Sequence, residues 1–205
     1  MTVVAERMGI RGTVTVEVFG APSLAEAPRT LELIGRRDAL LHGRDLDALR
    51  AVQSELNDRL VSRDVVENLV TQVGDQYYGE RAAGIGGAPA QVSGMRLGTG
   101  VTAASKTGAG AAIVTYIAGS AKAIDGSFPT SGLSGASRRI TWKTSWLAGT
   151  VNGVAIAEVA ITDETPLTDV TGSAANTISR ALIGPYTLDV LATISVTWTH
   201  DLLGA

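Results

Sequence analysis

Alternating apolar and polar positions predict strands at both ends of this chain. In residues 12–20, Val14, Val16 and Val18 alternate with threonines and a glutamate, and Gly20 ends the run. Further stretches rich in β-branched and aromatic residues lie at 138–149, 154–163, 176–184 and 191–200. Short strands with turn signals between them predict a mainly β protein built as an antiparallel, jelly-roll-like β-sandwich.

Shorter segments extend this pattern. Residues 29–35 are compatible with a second short strand, and residues 95–100 with a strand that runs into a turn. Residues 112–119 predict a strand with two apolar faces. The segment 120–137 is rich in glycine and serine and predicts a long loop.

Helical periodicity is confined to the first part of the chain. In residues 44–60, leucines and a valine recur at steps of three and four, and Asp45 is a candidate N-cap. Residues 64–81 show a similar stripe, in which Asp64 and Glu67 have the spacing of a capping box. We therefore expect one domain over residues 1–205. Its predicted parts are a first strand in 1–20, a charged helical insertion in 21–81 and a sandwich body in 82–205.

Two tryptophans, Trp142 and Trp146, are the most prominent aromatic feature. In a strand they share one mostly apolar face with Ile140, while the mostly polar set that includes Lys143 and Ser145 occupies the other face. This pattern favours burial over a ligand-stacking platform. In the last predicted strand, Trp198 and Val196 alternate with polar residues in the same way. We therefore predict that the core includes Trp142, Trp146, Trp198, Ile140 and Val196.

The composition narrows the function classes. Glycine accounts for 24 of 205 residues, and charged residues for only 18%, most of them in the first 81 positions. The net charge of −3 disfavours nucleic-acid binding through phosphates. The absence of cysteine excludes disulfides, zinc–thiolate sites and thiol catalysis. We expect no membrane span, because no apolar run is long enough, and no secretion signal at the start.

Few residues are candidates for catalysis. The histidines are His42 and His200, and although Asp201 follows His200, neighbours in a strand point to opposite faces. Ser105 and Lys106 lie in a small-residue loop that lacks the order of a phosphate-binding motif. We therefore expect structural roles for these residues, with no catalytic, cofactor-binding or metal-binding site.

For the charged residues that lie inside strands or directly after them, we also expect structural roles. Glu158 and Arg180 are isolated charges in two predicted strands, and a contact between them is conceivable. The acidic cluster Asp163, Glu164 and Asp169 could hold a hard cation, but a solvated turn is the simpler interpretation.

Tyr77 and Tyr78 are adjacent in the second helical stretch. Tyrosine is common at protein interfaces, so this pair predicts a contact surface for assembly.

Several segments occur in a recognisable order. They are NLVTQVGDQYYGERAAG, MRLGTG, RRITWKTSWLAGTVNGVAIAEVAITDETPLTD, TISRALIGPYTLD and ISVTWTHDLLGA. Over about residues 64–205 the chain thereby resembles a type of structural protein in tailed-bacteriophage particles, whereas residues 21–63 lie outside the resemblance. The resemblance implies a β-sandwich in the particle, without enzymatic activity or cofactors.

From this resemblance we expect a virion structural protein, specifically a capsid decoration or cement protein assembled in the host cytoplasm. Its expected partners are the major capsid protein or other virion proteins, and further copies of itself in a homo-oligomer, with no nucleic acid and no membrane. A tail, fibre or baseplate component is the alternative within this class. A carbohydrate-binding module with the tryptophans as its sugar platform is the alternative from another class.

Overall fold

Two antiparallel sheets of five strands each form the protein in a computed structural model, which describes residues 9–41 and 43–203. The mainly β, two-sheet architecture is as predicted. His42 and the first eight positions of the predicted first strand lie outside the described residues. In hydrogen-bonded order, the strands of the first sheet are residues 60–67, 9–19, 193–203, 137–146 and 130–134, and those of the second are residues 69–70, 177–187, 155–162, 94–98 and 122–123.

The first sheet joins the two ends of the chain. It contains β1 (Gly9–Phe19), β2 (Leu60–Glu67), β6 (Thr130–Ser134), β7 (Ser137–Trp146) and β10 (Thr193–Leu203). Strands β1 and β10 pair along their whole length, with Val14 opposite Trp198 and Val16 opposite Val196. The next pairing sets Trp198 opposite Trp142. The apolar side chains of the three central strands β1, β10 and β7 therefore lie on the same face of the sheet.

The second sheet covers that face. It contains β3 (Leu69–Val70), β4 (Gly94–Gly98), β5 (Lys122–Ala123), β8 (Ala155–Thr162) and β9 (Thr177–Thr187). The core between the sheets includes Trp142, Trp146, Trp198 and Val196, each at most 2% exposed, and Ile140 packs against it partly buried. The tryptophans are therefore core residues and offer no exposed stacking platform.

Helices lie on the outer side of the first sheet and at one end of the sandwich. They are α1 (Ala27–Leu40), α2 (Leu46–Arg59) and α3 (Gln72–Ala83). A second apolar cluster joins Phe19 of β1 to Leu33 and Ile34 of α1 and to Val52 and Leu56 of α2. The predicted cap of α2 is confirmed, because the Asp45 carboxylate accepts the Ala48 N–H at 2.9 Å.

The expectation of a short strand at 29–35 is wrong, since these residues lie within α1. The buried side of α1 recurs at helical spacing through Leu33, Ile34, Arg37 and Asp38. Two of the six buried residues of α1 are charged and a third is a threonine, so the apolar residues alone did not indicate a helix.

The expectation of one helix over 64–81 is only partly correct. Residues 60–67 form β2 along the free edge of β1, and α3 begins at Gln72. Its N-cap is Thr71, which accepts the Gly74 N–H at 3.1 Å, so Asp64 is not a cap. The segment 21–81 is therefore not purely helical, because it supplies an edge strand to each sheet.

Two loop assignments also change. Residues 112–119 do not form a strand and contribute only an isolated bridge between Gly98 and Tyr116. Conversely, the predicted loop 120–137 contains β5 and β6. Both β5 and β6 are edge strands of at most five residues, too short to show a clear alternation.

Candidate functional site

An apolar groove opens at one end of the sandwich, where α3, β3, the start of β1 and the end of β10 meet. On β1 and β10, Ile10 and Leu202 lie opposite each other. The groove encloses about 1010 Å³. The residues that line it with apolar atoms include Ile10, Leu69, Val70, Tyr78, Ala82 and Leu202. We call this feature the end groove.

The two tyrosines singled out by the sequence lie at this place. Tyr78 lines the end groove, and both rings are half-buried and pack edge-to-face with centroids 5.0 Å apart. Burial raises the pKa of the Tyr78 hydroxyl well above its ordinary value. The guanidinium of Arg81 lies over the Tyr77 ring at 5.4 Å. The location agrees with a contact surface, and the assembly role of the tyrosines stays a prediction.

The buried side chain of His200 forms a hydrogen bond with the Tyr78 hydroxyl group. The Trp198 indole N–H donates to His200 Nε2 at 3.0 Å, so this nitrogen carries no proton. The proton is therefore on Nδ1, which lies 2.5 Å from the Tyr78 hydroxyl oxygen and donates to it. Burial lowers the pKa of His200 to about 3, so the ring is neutral at ordinary pH. His200 is thus a satisfied core histidine.

Asp201 points away from this cluster, as the strand geometry predicted. Its two carboxylate oxygens accept from Arg139 Nε and Nη2, each at 2.7 Å. The hydrogen bond from Arg139 lowers the pKa of Asp201. No His200–Asp201 dyad exists.

The predicted contact between Glu158 and Arg180 is confirmed. Both side chains are fully buried, and Arg180 Nη2 donates to Glu158 Oε2 at 2.6 Å. The same carboxylate accepts the backbone N–H groups of Gly100, Val114 and Thr115 at 2.9–3.1 Å. Glu158 therefore holds the loop after β4 against the second sheet. The amides of this loop donate to the Glu158 carboxylate, whereas the amides of a strand would donate to a neighbouring strand.

A second set of buried charges, under α1, was not foreseen from the sequence. Arg37 of α1 donates to both oxygens of Glu17 on β1, at 2.8 and 3.2 Å. Its neighbour Asp38 accepts from Lys143 Nζ on β7 at 2.7 and 2.6 Å. All four residues are at most 7% exposed. The signal in the sequence is weak, because Glu17 and Lys143 occupy the polar phase of their strands, which is ordinarily solvated.

This set, called here the charge row, borders a polar hollow of about 390 Å³. The pKa of Lys143 is lowered, first by burial and then by the neighbouring Arg37. Threonines of the first sheet, Thr15, Thr141 and Thr197, form part of its floor. The hollow connects the charge row to solvent.

The acidic cluster after β8 does not converge on a common point. Asp163 accepts the Ala90 N–H at 3.0 Å, Glu164 contacts Arg96, and Asp169 accepts from Gly119 N–H and the Tyr116 hydroxyl. Within residues 9–41 and 43–203, no group of three or more histidines and acids could hold a metal ion. Each acid instead fixes a different loop.

Lys106, which lies in the small-residue loop, forms an ion pair with Asp75 of α3 at the rim of the end groove. In the part of the chain that the structure describes, no helix is both long enough and apolar enough to cross a membrane. Comparisons of the chain with protein-family models, curated proteins and solved structures found no match.

Proposed function

We propose that this chain is a non-enzymatic structural protein of a bacteriophage particle, specifically a capsid decoration or cement protein that binds and stabilises the head shell. The ordered motifs over residues 64–205, which resemble such proteins, support this proposal. The two-sheet architecture supports it as well. A jelly-roll-like relationship of the strands and a virion location belong to the same proposal.

The end groove is the observation that carries the proposal. Large exposed apolar surfaces on soluble proteins commonly mark contact sites for other proteins. This groove is lined mainly by apolar residues, among them Tyr78, a residue type enriched at interfaces, and it also has polar lining residues, Asn68, Asp75 and Lys106. We assign it to contact with a neighbouring protein of the shell, whether the major capsid protein or a further copy of this chain.

The buried clusters support a structural role because each of them joins separate segments of the chain. The Glu158–Arg180 pair fixes a loop to the second sheet, and the charge row fixes α1 to the first sheet. A body held together in this way suits a protein that reinforces a shell.

Quantitative mass spectrometry of purified phage particles tests the proposal. A copy number equal to that of the major capsid protein, or a simple fraction of it, would support head decoration. A handful of copies would instead support a tail, fibre or baseplate component. Absence from particles would contradict a virion role altogether.

A matched pair of variants tests the end groove. Ala82 and Ala83 are both exposed near the end of α3, but only Ala82 lines the groove. We expect Ala82→Arg to reduce incorporation into particles and Ala83→Arg to leave it unchanged, with both proteins folded by circular dichroism. Equal incorporation of the two variants would contradict the assignment of the groove.

The carbohydrate-binding alternative has lost the feature on which it rested. Trp142 and Trp146 are 2% and 1% exposed, so neither ring is free to stack on a sugar.

A further inference from the structure

Strand β2 (Leu60–Glu67) forms an open edge of the first sheet. It pairs with β1 on one side and, in the part of the chain that the structure describes, with no strand on the other side. Most of its residues are exposed, including Val61 at 70% and Val65 at 62%. An exposed edge strand with apolar side chains is a template for pairing with a strand of another chain.

The backbone groups that face this open edge can be assigned from the pairing with β1. The Asn68 N–H donates to Gly12 O at 3.1 Å, and these two residues continue the register in which Thr13 lies opposite Glu67. Hydrogen-bonded pairs alternate along an antiparallel ladder, so the even-numbered residues of β2 bond to β1. The N–H and C=O groups of Arg63, Val65 and Glu67 therefore point toward the open edge.

We propose that β2 pairs antiparallel with β2 of a second copy of this chain, about a two-fold axis at Val65. In this register Val65 lies opposite Val65 of the other copy, and Arg63 of each copy lies opposite Glu67 of the other. These are the residues whose backbone groups face the open edge, so each of the three pairs can exchange two hydrogen bonds.

The charges select both this register and a second copy as the partner. Residues that lie directly opposite each other in an antiparallel pair have side chains on the same face, where opposite charges attract and like charges repel. An axis at Arg63, Asp64 or Glu67 would set two like charges against each other, whereas the axis at Val65 forms two Arg63–Glu67 pairs. Charges on an edge strand commonly prevent pairing, but these charges complement the same strand in the reversed direction.

Within one chain Arg63 and Glu67 cannot contact each other, because four residues of a strand span about 13 Å. Glu67 instead contacts Arg11 at 3.3 Å, and Arg63 lies 3.9 Å from Glu17. The Arg63 and Glu67 side chains remain 61% and 76% exposed, and exposed pairs of this kind contribute little to stability. Both side chains are therefore available to a second copy.

The dimer would join the five-stranded first sheets of two copies into one continuous sheet. Such an interface is isologous, because both copies contribute the same strand. It uses the β2 edge and does not involve the end groove, so this inference does not rest on the proposed function.

Sedimentation-velocity centrifugation of the purified full-length chain, at concentrations up to about 0.1 mM, tests for the dimer, because small interfaces are commonly weak. We expect the wild type to approach the mass of a dimer as its concentration rises. A wild-type chain that is still a monomer at the highest concentration would overturn the proposal.

Variants of the two exposed valines identify the surface that forms the dimer. Val65→Lys places two like charges at the axis and should raise the Kd of the dimer by about tenfold or more. Val61→Lys alters an equally exposed valine on the same face of β2 but outside the three pairs, and should leave the Kd unchanged. A dimer that survives Val65→Lys unchanged would be formed by another surface, such as the end groove, and would also overturn the proposal.

A charge swap tests the register. Arg63→Glu and Glu67→Arg should each raise the Kd by about tenfold, because each creates two like-charge pairs across the axis. The double variant Arg63→Glu/Glu67→Arg should restore the dimer, with all variants folded by circular dichroism. Since the two side chains are too far apart to meet within one chain, failure of this rescue would contradict the Val65 axis.

Discussion

Replacing Glu158 should release the loop after β4 and destabilise the fold, because this carboxylate makes two kinds of contact. It balances the fully buried Arg180, and it accepts three backbone N–H groups of the loop. Removing one partner of a buried pair costs about 3–5 kcal/mol, because the other charge stays buried without compensation. We therefore expect Glu158→Leu to lower the free energy of unfolding by about 3–5 kcal/mol, measured by urea denaturation.

Arg180→Leu should differ from Glu158→Leu in kind. Without Arg180, the carboxylate still accepts the amides of Gly100, Val114 and Thr115, so the loop stays attached. We expect a cost near 3 kcal/mol, at the lower end of the range. Hydrogen exchange should show these three amides protected in Arg180→Leu and unprotected in Glu158→Leu.

The double variant and a surface control complete the experiment. The two losses should not add, because each single variant leaves the other charge buried, and the shortfall should be about 0.5–3 kcal/mol. Arg50→Leu breaks an exposed pair with Asp47 and should change stability by no more than about 0.5 kcal/mol. Protected loop amides in Glu158→Leu, or additive losses in the double variant, would refute this reasoning.

Three further predictions concern the core, the buried histidine and a helix cap. Trp146→Ala removes a core ring and a 2.8 Å hydrogen bond to Ser120 O, and should cost about 3–5 kcal/mol in urea unfolding; a loss below 1 kcal/mol would be incompatible with burial. The pKa of His200 is about 3 in the folded protein and about 6.5 when unfolded, so the unfolded state binds a proton first as the pH falls. The contribution of His200 to stability is therefore fully present above pH 6.5, and the free energy of unfolding should fall by about 1.4 kcal/mol per pH unit between pH 6.5 and pH 3. The variant His200→Gln should remove this slope. An NMR titration that gives His200 a pKa near 6.5 in the folded protein would contradict the prediction. Asp45→Ala should cost about 1 kcal/mol by loss of the N-cap, whereas Asp47→Ala, two residues later in the first turn of α2, should cost less. Equal thermal shifts for the two variants would argue against the cap.

Where the side-chain pattern of one segment reports its own environment, the sequence predicted the structure. Strand β7 alternates from Ile140 onward except at Thr144, so its apolar phase, with Trp142 and Trp146, identified the core. Helix α2 has an apolar stripe and its own cap residue, and both were read from adjacent positions. Strands β8, β9 and β10 were found for the same reason.

The errors have a common physical cause. Helix α1 buries Arg37 and Asp38, whose partners Glu17 and Lys143 come from two distant strands. Residues 112–119 looked like a strand, but their amides bind Glu158 of β8. Strand β2 resembled the start of a helix until pairing with β1 decided otherwise. In each case a contact remote in sequence overrode the local preference.

The features of the candidate site likewise divide into those that the sequence predicts and those that only the tertiary structure shows. The sequence by itself determined that Tyr77 and Tyr78 are adjacent, that Glu158 and Arg180 are isolated charges in strands, and that His200 cannot pair with Asp201 within one strand. Only the tertiary structure decided that Tyr78 borders an open apolar groove and that Lys143 reaches Asp38 in a buried site. Local alternation fixes which side of a strand is apolar, whereas the cover on that side depends on segments that meet only after folding.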